Sequence, residues 1–486
     1  MVNSARGKFA GTATQFSATI TVTLFAISIG LNYSWTAPMI PYLIGEDSHL
    51  ETTPYEAAWL ETEMMIGTFL GLPLTILLID RIGRKNLILL ATCIAMLGWI
   101  SIAAANKMIY LHAARVILGT TSNMFTVAAP MYVAEIAESR IRGFLSGIFN
   151  FMLPLGFILM YCIGPYLPFY IIPIIGISVL TAELLIFSRI PETPYYLLFI
   201  DQPELAKKSL QYFRPKQDVQ QELKEMTIAI ERQKTETGRV QDLILVQSNR
   251  RGIIIMTVLN VGLNMVGGSV TVMNLHMILG AASSLYLDSS IVAILFSIVM
   301  AISAQAASLT VDKYGRKSLL LISTVCSTCC LLVVTIYFHL KISDYDVAYV
   351  SWLPSVAVMV YGATFKFGLG IVPPIINAEI FPAKVKACGM SIGEITFVFG
   401  ALLSIQIYMW LADICGIHVP FYIFTASGVL LAIFIYFYVP ETKGKTLEEI
   451  QFLMKKKTYI PVKPQVLLLQ DKNPRITNVV SRYEYV

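Results

Sequence analysis

The chain has 486 residues, of which 14% are charged and 56% hydrophobic, and its formal net charge is +5. An ordinary soluble domain carries roughly a quarter charged residues, so a water-soluble globular protein is excluded and most of the length must lie in lipid. No nucleotide-binding loop, nucleophile constellation or metal-ligand spacing occurs, so the chain is not read as an enzyme, and no cofactor, metal or nucleic-acid partner is expected.

Apolar stretches of the roughly 20 residues needed to cross a bilayer fall, in chain order, at 17–40, 57–79, 87–105, 109–133, 144–164, 167–189, 252–278, 288–311, 318–340, 349–375, 387–412 and 418–439. A segment in lipid must satisfy its own backbone, so these twelve are expected to be helices. The first is too long for a signal-peptide core and is expected to stay as an anchor. Cysteines 93, 162, 326, 329, 330, 388 and 415 are expected to be small buried hydrophobes.

Lys and Arg gather in the connections after the second span ("DRIGRKN"), the fourth ("ESRIRG"), the eighth ("DKYGRK") and the tenth ("AKVKA"). The first loop, "GEDSHLETTPYE", carries four acids and no Lys or Arg. The positive-inside rule then places these basic connections and both termini in the cytoplasm. The expected organisation is an N-terminal six-helix bundle over 1–190, a polar cytoplasmic linker with short helices over 191–251, a C-terminal six-helix bundle over 252–439 and a cytoplasmic tail over 440–486. The "KKK" run at 455–457 either is solvated or touches anionic lipid.

The two groups of six spans echo each other. "DRIGRK" at 80–85 returns as "DKYGRK" at 312–317, "AEIAESRIRG" at 134–143 as "AEIFPAKVKA" at 378–387, and "PETPYYL" at 191–197 as "PETKGKTL" at 440–447. Three charged motifs in one order and at nearly one offset are the signature of a carrier built from two parallel halves. Each motif lies at a helix end, where carboxylates can pair with guanidinium groups and with helix N-termini. Pairs running between the bundles would close the cytoplasmic side and break when the bundles rock. Simple positive-inside anchoring, the alternative, does not require Asp80, Glu135 or Glu379.

With "RVILG" and "PMYVAEIAESRIRG" added, these motifs make the chain resemble the sugar porter branch of the major facilitator superfamily over nearly its whole length. The stretches "YSWTAPMIPYL" and "AAWLETEMM" look most like the insect facilitated trehalose and hexose transporters. The resemblance implies an all-α membrane fold of twelve transmembrane helices in two six-helix bundles, and alternating access around a sugar site. It assigns Asp80, Arg84, Glu135, Arg142 and Glu192 to a cytoplasmic gate in the first half, and Asp312, Arg316, Glu379, Lys386 and Glu441 to its counterpart. Lys386 cannot make the bidentate fork of an arginine.

The chain also departs from the family. In the seventh span Asn264, Met265 and Val270 stand where the pattern has Gln, Gln and Asn. Pro374 stands in place of a stacking Trp, and Asn150 in place of a sugar-binding Gln. Read on its own residues, the seventh span still offers Asn260, Asn264, Gly267, Thr271 and Asn274 at helical spacing, one face that is either a polyol site or a packing surface. Lys366 is an isolated intramembrane cation, expected to share a face with Gly362, Gly370, Pro373 and Asn377. It could pair with Glu394, bind an anionic substrate or snorkel to water. The first span, "ISIGLNYSWTAP", has no carboxylate where proton-coupled relatives carry one, which favours passive transport; Glu394 leaves an opening for proton coupling.

The expected function is facilitative transport of a sugar, trehalose or a hexose, by a monomer in the plasma membrane, contacting only lipid and substrate. The alternatives are a receptor that kept the gate and lost the sugar groups, and a carrier of a small organic anion held by Lys366.

Overall fold

The structure, a computed structural model, describes residues 2–46, 48–138, 140–215, 218–235, 242–381, 385–445 and 447–454. The lysines at 455–457 and the rest of the tail lie outside the described residues.

The first span begins as α1 (Val2–Ser34) and bends at Trp35 into α2 (Thr36–Ile44). Pro38 is the cause: it has no N–H, and its ring crowds the carbonyl of Ser34. α3 (Pro54–Ile82), α4 (Arg84–Ala103), α5 (Met108–Ile136), α6 (Arg142–Ile163) and α7 (Ile171–Phe187) complete the first half. Among the described residues ten helices are long and apolar enough to cross a membrane. The other two expected spans also form helices. α7 is shorter, at 17 residues. α5 has 29 residues, but it carries His112, Arg115, Asn123 and Glu135 along an otherwise apolar sequence.

The segment that follows folds into α8 (Pro194–Phe199), α9 (Pro203–Phe213), α10 (Gln220–Thr235) and α11 (Asp242–Leu245). Leu198, Ala206 and Ile230 give α8, α9 and α10 a small core of their own. Arg214, 2% exposed, ties this layer to the first half: it donates to Ile136 O at 3.0 Å and meets Glu222 at 3.0 Å and Glu138 at 3.5 Å.

The seventh span is broken into α12 (Gln247–Met265), α13 (Gly268–Met273) and α14 (Leu275–Ala282). The first break sits at Gly267, with φ +86°, a conformation that favours glycine. α15 (Ser289–Tyr314) and α16 (Arg316–Ile342) are continuous. The tenth span divides into α17 (Leu353–Phe367) and α18 (Val372–Ile380), because the chain unwinds through Gly368–Ile371 ahead of Pro373 and Pro374. α19 (Lys386–Cys415) and α20 (His418–Tyr438) follow, and then α21 (Leu447–Met454). These breaks correct two expected faces. Asn260 to Asn274 do not ride on one helix, and Gly370, Pro373 and Asn377 are not on the helix that carries Lys366.

Packing repeats between the halves. α1 lies on α6 and α7, α3 on α5, and α4 on α5 and α7; correspondingly α12 lies on α19 and α20, α15 on α17, and α16 on α17 and α20. Crossings inside the first half are close. A Cβ on Gly67 would meet Val116 O at 2.2 Å, and one on Gly119 would meet Met64 O at 2.1 Å. In lipid, where water drives no association, helices pack through such small residues. The halves meet reciprocally, α6 against α15 and α3 against α19.

The cysteines are not buried. Five are exposed and Cys330 and Cys388 are half-buried, all as free thiols. In a membrane protein an apolar run turns part of its surface to lipid, so burial of a small hydrophobe in the protein does not follow from the run alone.

Candidate functional site: two capped ion-pair networks and a seal between the halves

On one face of the molecule, the loop between α3 and α4 turns at Gly83 (φ +92°). The first N–H groups of α4 have no partner within their own helix, and the Glu192 carboxylate supplies one: both its oxygens accept from Lys85 N, at 3.1 and 2.9 Å. A Cβ at Gly83 would lie 2.3 Å from Glu192 Oε2, so the acid fits because the turn residue has no side chain. Arg84, 4% exposed, donates through Nε to Glu135 at 3.1 Å and through Nη1 to Asp80 at 3.2 Å. The second oxygen of Glu135 accepts from Thr193 Oγ1 at 2.5 Å.

The second half builds the same unit. Gly315 turns at φ +91°. Glu441 accepts from Arg316 N at 2.9 Å and Lys317 N at 3.1 Å. Arg316 meets Glu379 at 3.0 Å, and Glu379 accepts from Thr442 Oγ1 at 2.6 Å. Even the adjacent lysines correspond: Lys85 Nζ donates to Ser188 O at 2.8 Å and Lys317 Nζ to Tyr436 O at 2.7 Å. Burial pushes the Glu192 carboxyl above its ordinary range despite its N–H partners. Burial also pushes Glu441 upward, but four backbone N–H groups outweigh it and hold this carboxyl below that range.

Among the described residues these ion pairs do not run between the bundles: Glu192 and Glu441 are spent on helix N-termini, and Arg84 and Arg316 each meet an acid on a helix of the same bundle. Arg142 is exposed and, among the described residues, its guanidinium reaches only Ala137 O, at 3.5 Å, so it stands apart from the network. The side chains of Asp312 and Lys386 lie outside the described residues. Thr193 and Thr442 are members that the sequence reading missed, although their signal was present in the repeated "PET".

Polar bonds between the halves gather at the opposite face. Asn274 Nδ2 donates to Glu61 Oε2 at 2.8 Å, Tyr33 Oη to Ser269 Oγ at 2.6 Å, and Thr36 Oγ1 to Met273 O at 3.0 Å. Tyr161 Oη donates to Val272 O at 2.7 Å, and Gln406 Nε2 to Thr62 Oγ1 at 2.7 Å. Glu61 is 1% exposed and its other oxygen has no hydrogen-bond partner. The molecule is thus sealed at the face away from its ion-pair networks. Glu61 lies in "AAWLETEMM" and Tyr33 opens "YSWTAPMIPYL", but neither stretch, nor anything around Gln406, pointed to this seal, since each partner lies hundreds of residues away.

The candidate substrate residues divide. Asn260, Asn264, Thr271 and Asn274 are all buried. Asn260 Nδ2 donates to Gly393 O at 2.9 Å, and Asn264 Nδ2 to Phe397 O at 3.1 Å while its Oδ1 accepts from Ser269. These two amides stitch α12 to α19, and Asn274 belongs to the seal. Asn150 is half-buried on α6. Lys366 and Glu394 are both half-buried, and no ion pair joins them.

Arg115, fully buried on α5, opens the motif "RVILG" but was given no role. It donates to Leu60 O at 3.0 Å and to Asn32 O at 2.6 Å, contacts Asn32 Oδ1, and stands 5.6 Å over the Trp35 ring. Its side-chain partner in the first span is therefore a neutral amide.

The model for the family described as "Sugar (and other) transporter" matches residues 15–453. Among curated relatives, the Facilitated trehalose transporter Tret1 of Bombyx mori is 27% identical over 447 residues, covering 90% of this chain and 86% of that protein. The protein of the same name from Aedes aegypti is also 27% identical, but the chain spans only 55% of its length. Among solved structures, the E. coli xylose transporter XylE in an inward-open conformation superposes with a TM-score of 0.75 at 20% identity, over 90% of this chain and 99% of that one. The proton:xylose symporter XylE bound to 6-bromo-6-deoxy-D-glucose gives 0.71 at 20% identity, over 91% and 100%. Those likenesses fix the fold: twelve helices in two bundles of six. With its two repeated, capped ion-pair networks and a family match over most of its length, the chain belongs to the sugar transporter family.

Proposed function

We propose that this protein is a facilitative carrier of a sugar, trehalose or a hexose, acting as a monomer in the plasma membrane with both termini and the ion-pair face in the cytoplasm. The observation that carries this reading is the contrast between the two faces. One is closed by hydrogen bonds across the halves, while on the other, among the described residues, the bundle 1–190 is fastened to itself and to the start of the linker that follows it, and the bundle 252–439 to itself and to the start of the tail. Two internally fastened bodies joined at one end are what alternating access requires: loss of the seal opens the outer face, and its formation opens the inner one.

Substrate would be held near the breaks of the seventh and tenth spans, by Asn150, Asn260, Asn264, Thr271 and Asn274. Asn274 and Ser269 are released when the seal parts, and their donors and acceptors suit polyol hydroxyls. Asn32 opposite Arg115 supports transport without proton coupling, since that partner carries no titratable proton. Support also comes from the trehalose-transporting relatives.

The test is uptake of labelled trehalose and glucose by the purified protein in liposomes. Saturable uptake that follows the sugar gradient and ignores an imposed pH difference is the expected result. Lys366, which has no ion-pair partner in Glu394, favours one second reading, a small organic anion as substrate. Uptake of an organic anion that Lys366→Met abolishes, with no sugar uptake by the folded protein, would replace the first reading by the second.

A further inference from the structure

A cavity of about 420 Å³ lies on the cytoplasmic side of the first half, where the end of α7, the start of α4 and helix α9 converge. Each element contributes one cation: Lys85, Arg189 and Lys208. Glu192 is also in the wall, but its oxygens are spent on the N–H groups of Lys85 and Thr193. Arg189 and Lys208 are exposed, and among the described residues neither side chain has an acceptor.

The ion-pair network does not need this cluster. In the second half the capping acid, arginine, threonine and lysine recur, yet the residues ending α20 beside them are Tyr436, Phe437 and Tyr438. Among the described residues Arg189 and Lys208 are thus additional to the repeated unit, which itself supplies Lys85. Their surroundings are amphipathic. Leu185 and Ile186, in the last turn of α7, are 60% and 50% exposed, and Leu205, 48% exposed, lines the cavity itself. A cationic pocket beside outward-facing aliphatic side chains at the end of a membrane helix suits a ligand with a phosphate head and an acyl tail. Arginine and lysine together offer a fork and a point charge to one phosphate.

We propose that this cavity binds the phosphorylated headgroup of an anionic lipid of the cytoplasmic leaflet, and that the bound headgroup braces the Glu192 cap on α4. The test uses the full chain in phosphatidylcholine nanodiscs containing a minor fraction of phosphatidylinositol phosphate or of phosphatidylserine, with lipid retained by the released protein counted by native mass spectrometry. The wild type is expected to retain phosphatidylinositol phosphate over phosphatidylserine, and Arg189→Gln/Lys208→Gln to retain roughly tenfold less of it. The charge-matched pair Lys224→Gln/Lys313→Gln, also on exposed lysines, should retain as much as the wild type. Unfolding temperatures in pure phosphatidylcholine that match the wild type would show that the first double variant has lost binding and not folding. Equal retention by both double variants would overturn the site. Equal retention of the two anionic lipids would overturn recognition of the phosphate monoester. Displacement of the lipid by an equal concentration of soluble inositol phosphate would make the occupant a free anion and overturn the membrane assignment.

Discussion

Arg84 and Glu135 show how much depends on where a charge sits. Arg84 is 4% exposed and the Glu135 side chain 13%, whereas the Asp80 side chain is 60% exposed. Glu135→Ala strands a buried guanidinium and should cost about 3 kcal/mol of stability, while Asp80→Asn should cost less than about 1 kcal/mol; thermal unfolding in detergent distinguishes them. The two capping acids should also separate in pH. Glu441 is held below the ordinary carboxylate range, so its contribution is complete above about pH 4.3 and is lost as pH falls through its lowered value. Glu192 is raised, so the fold favours its protonated form, and stability attributable to it rises as pH falls toward that range. Glu441→Gln should therefore remove an acid-side loss of stability, and Glu192→Gln should flatten an acid-side gain, in unfolding measured against pH. The networked acids and arginines were legible because each recurs in both halves. The roles of Glu61 and Arg115 were not, although "AAWLETEMM" and "RVILG" contain them, because neither recurs in the second half to reveal what it does.

At the scale of elements, all twelve spans could be found from apolar length, and the failures came where helices break. A 3.6-residue period placed Asn260 through Asn274 on one face, but a period cannot be carried through Gly267, whose φ of +86° redirects the chain. The same error put Gly370 and Pro373 in line with Lys366 across an unwound stretch. Gly267→Ala should lower stability by about 1–2 kcal/mol, chiefly through left-handed strain, since the nearest side-chain atom to an added Cβ is 3.4 Å away. Gly119→Val should do worse, because there a Cβ would meet backbone of α3 at 2.1 Å; folded yield after solubilisation ranks the two. The cysteines carry the converse lesson. Hydropathy reports distance from water, and lipid satisfies it as well as protein does.

For the whole molecule, the repeat made the two halves readable, but the closed face was not, since the seal consists of single bonds between distant, unrepeated residues. Among the described residues the bond from Asn274 to Glu61 is its carboxyl member, and leaving the buried Asn274 donor without that partner costs about 2 kcal/mol. Glu61→Ala should move the equilibrium toward the outward-open state by roughly thirtyfold. A cysteine introduced at Ser269 would report this by faster modification with an impermeant reagent from outside; an unchanged rate would remove Glu61 from the gate. Gln406→Leu, which deletes a neutral bond, should shift the rate less.

Because the described ion pairs do not run between the bundles, the motion that leaves this conformation need not pull opposite charges apart. Its activation barrier should then be set by short, neutral contacts and one buried carboxylate, none of which an electrolyte screens well. Turnover limited by that motion should stay nearly constant from dilute buffer to high ionic strength, and the carrier would run at one pace whatever salt surrounds it.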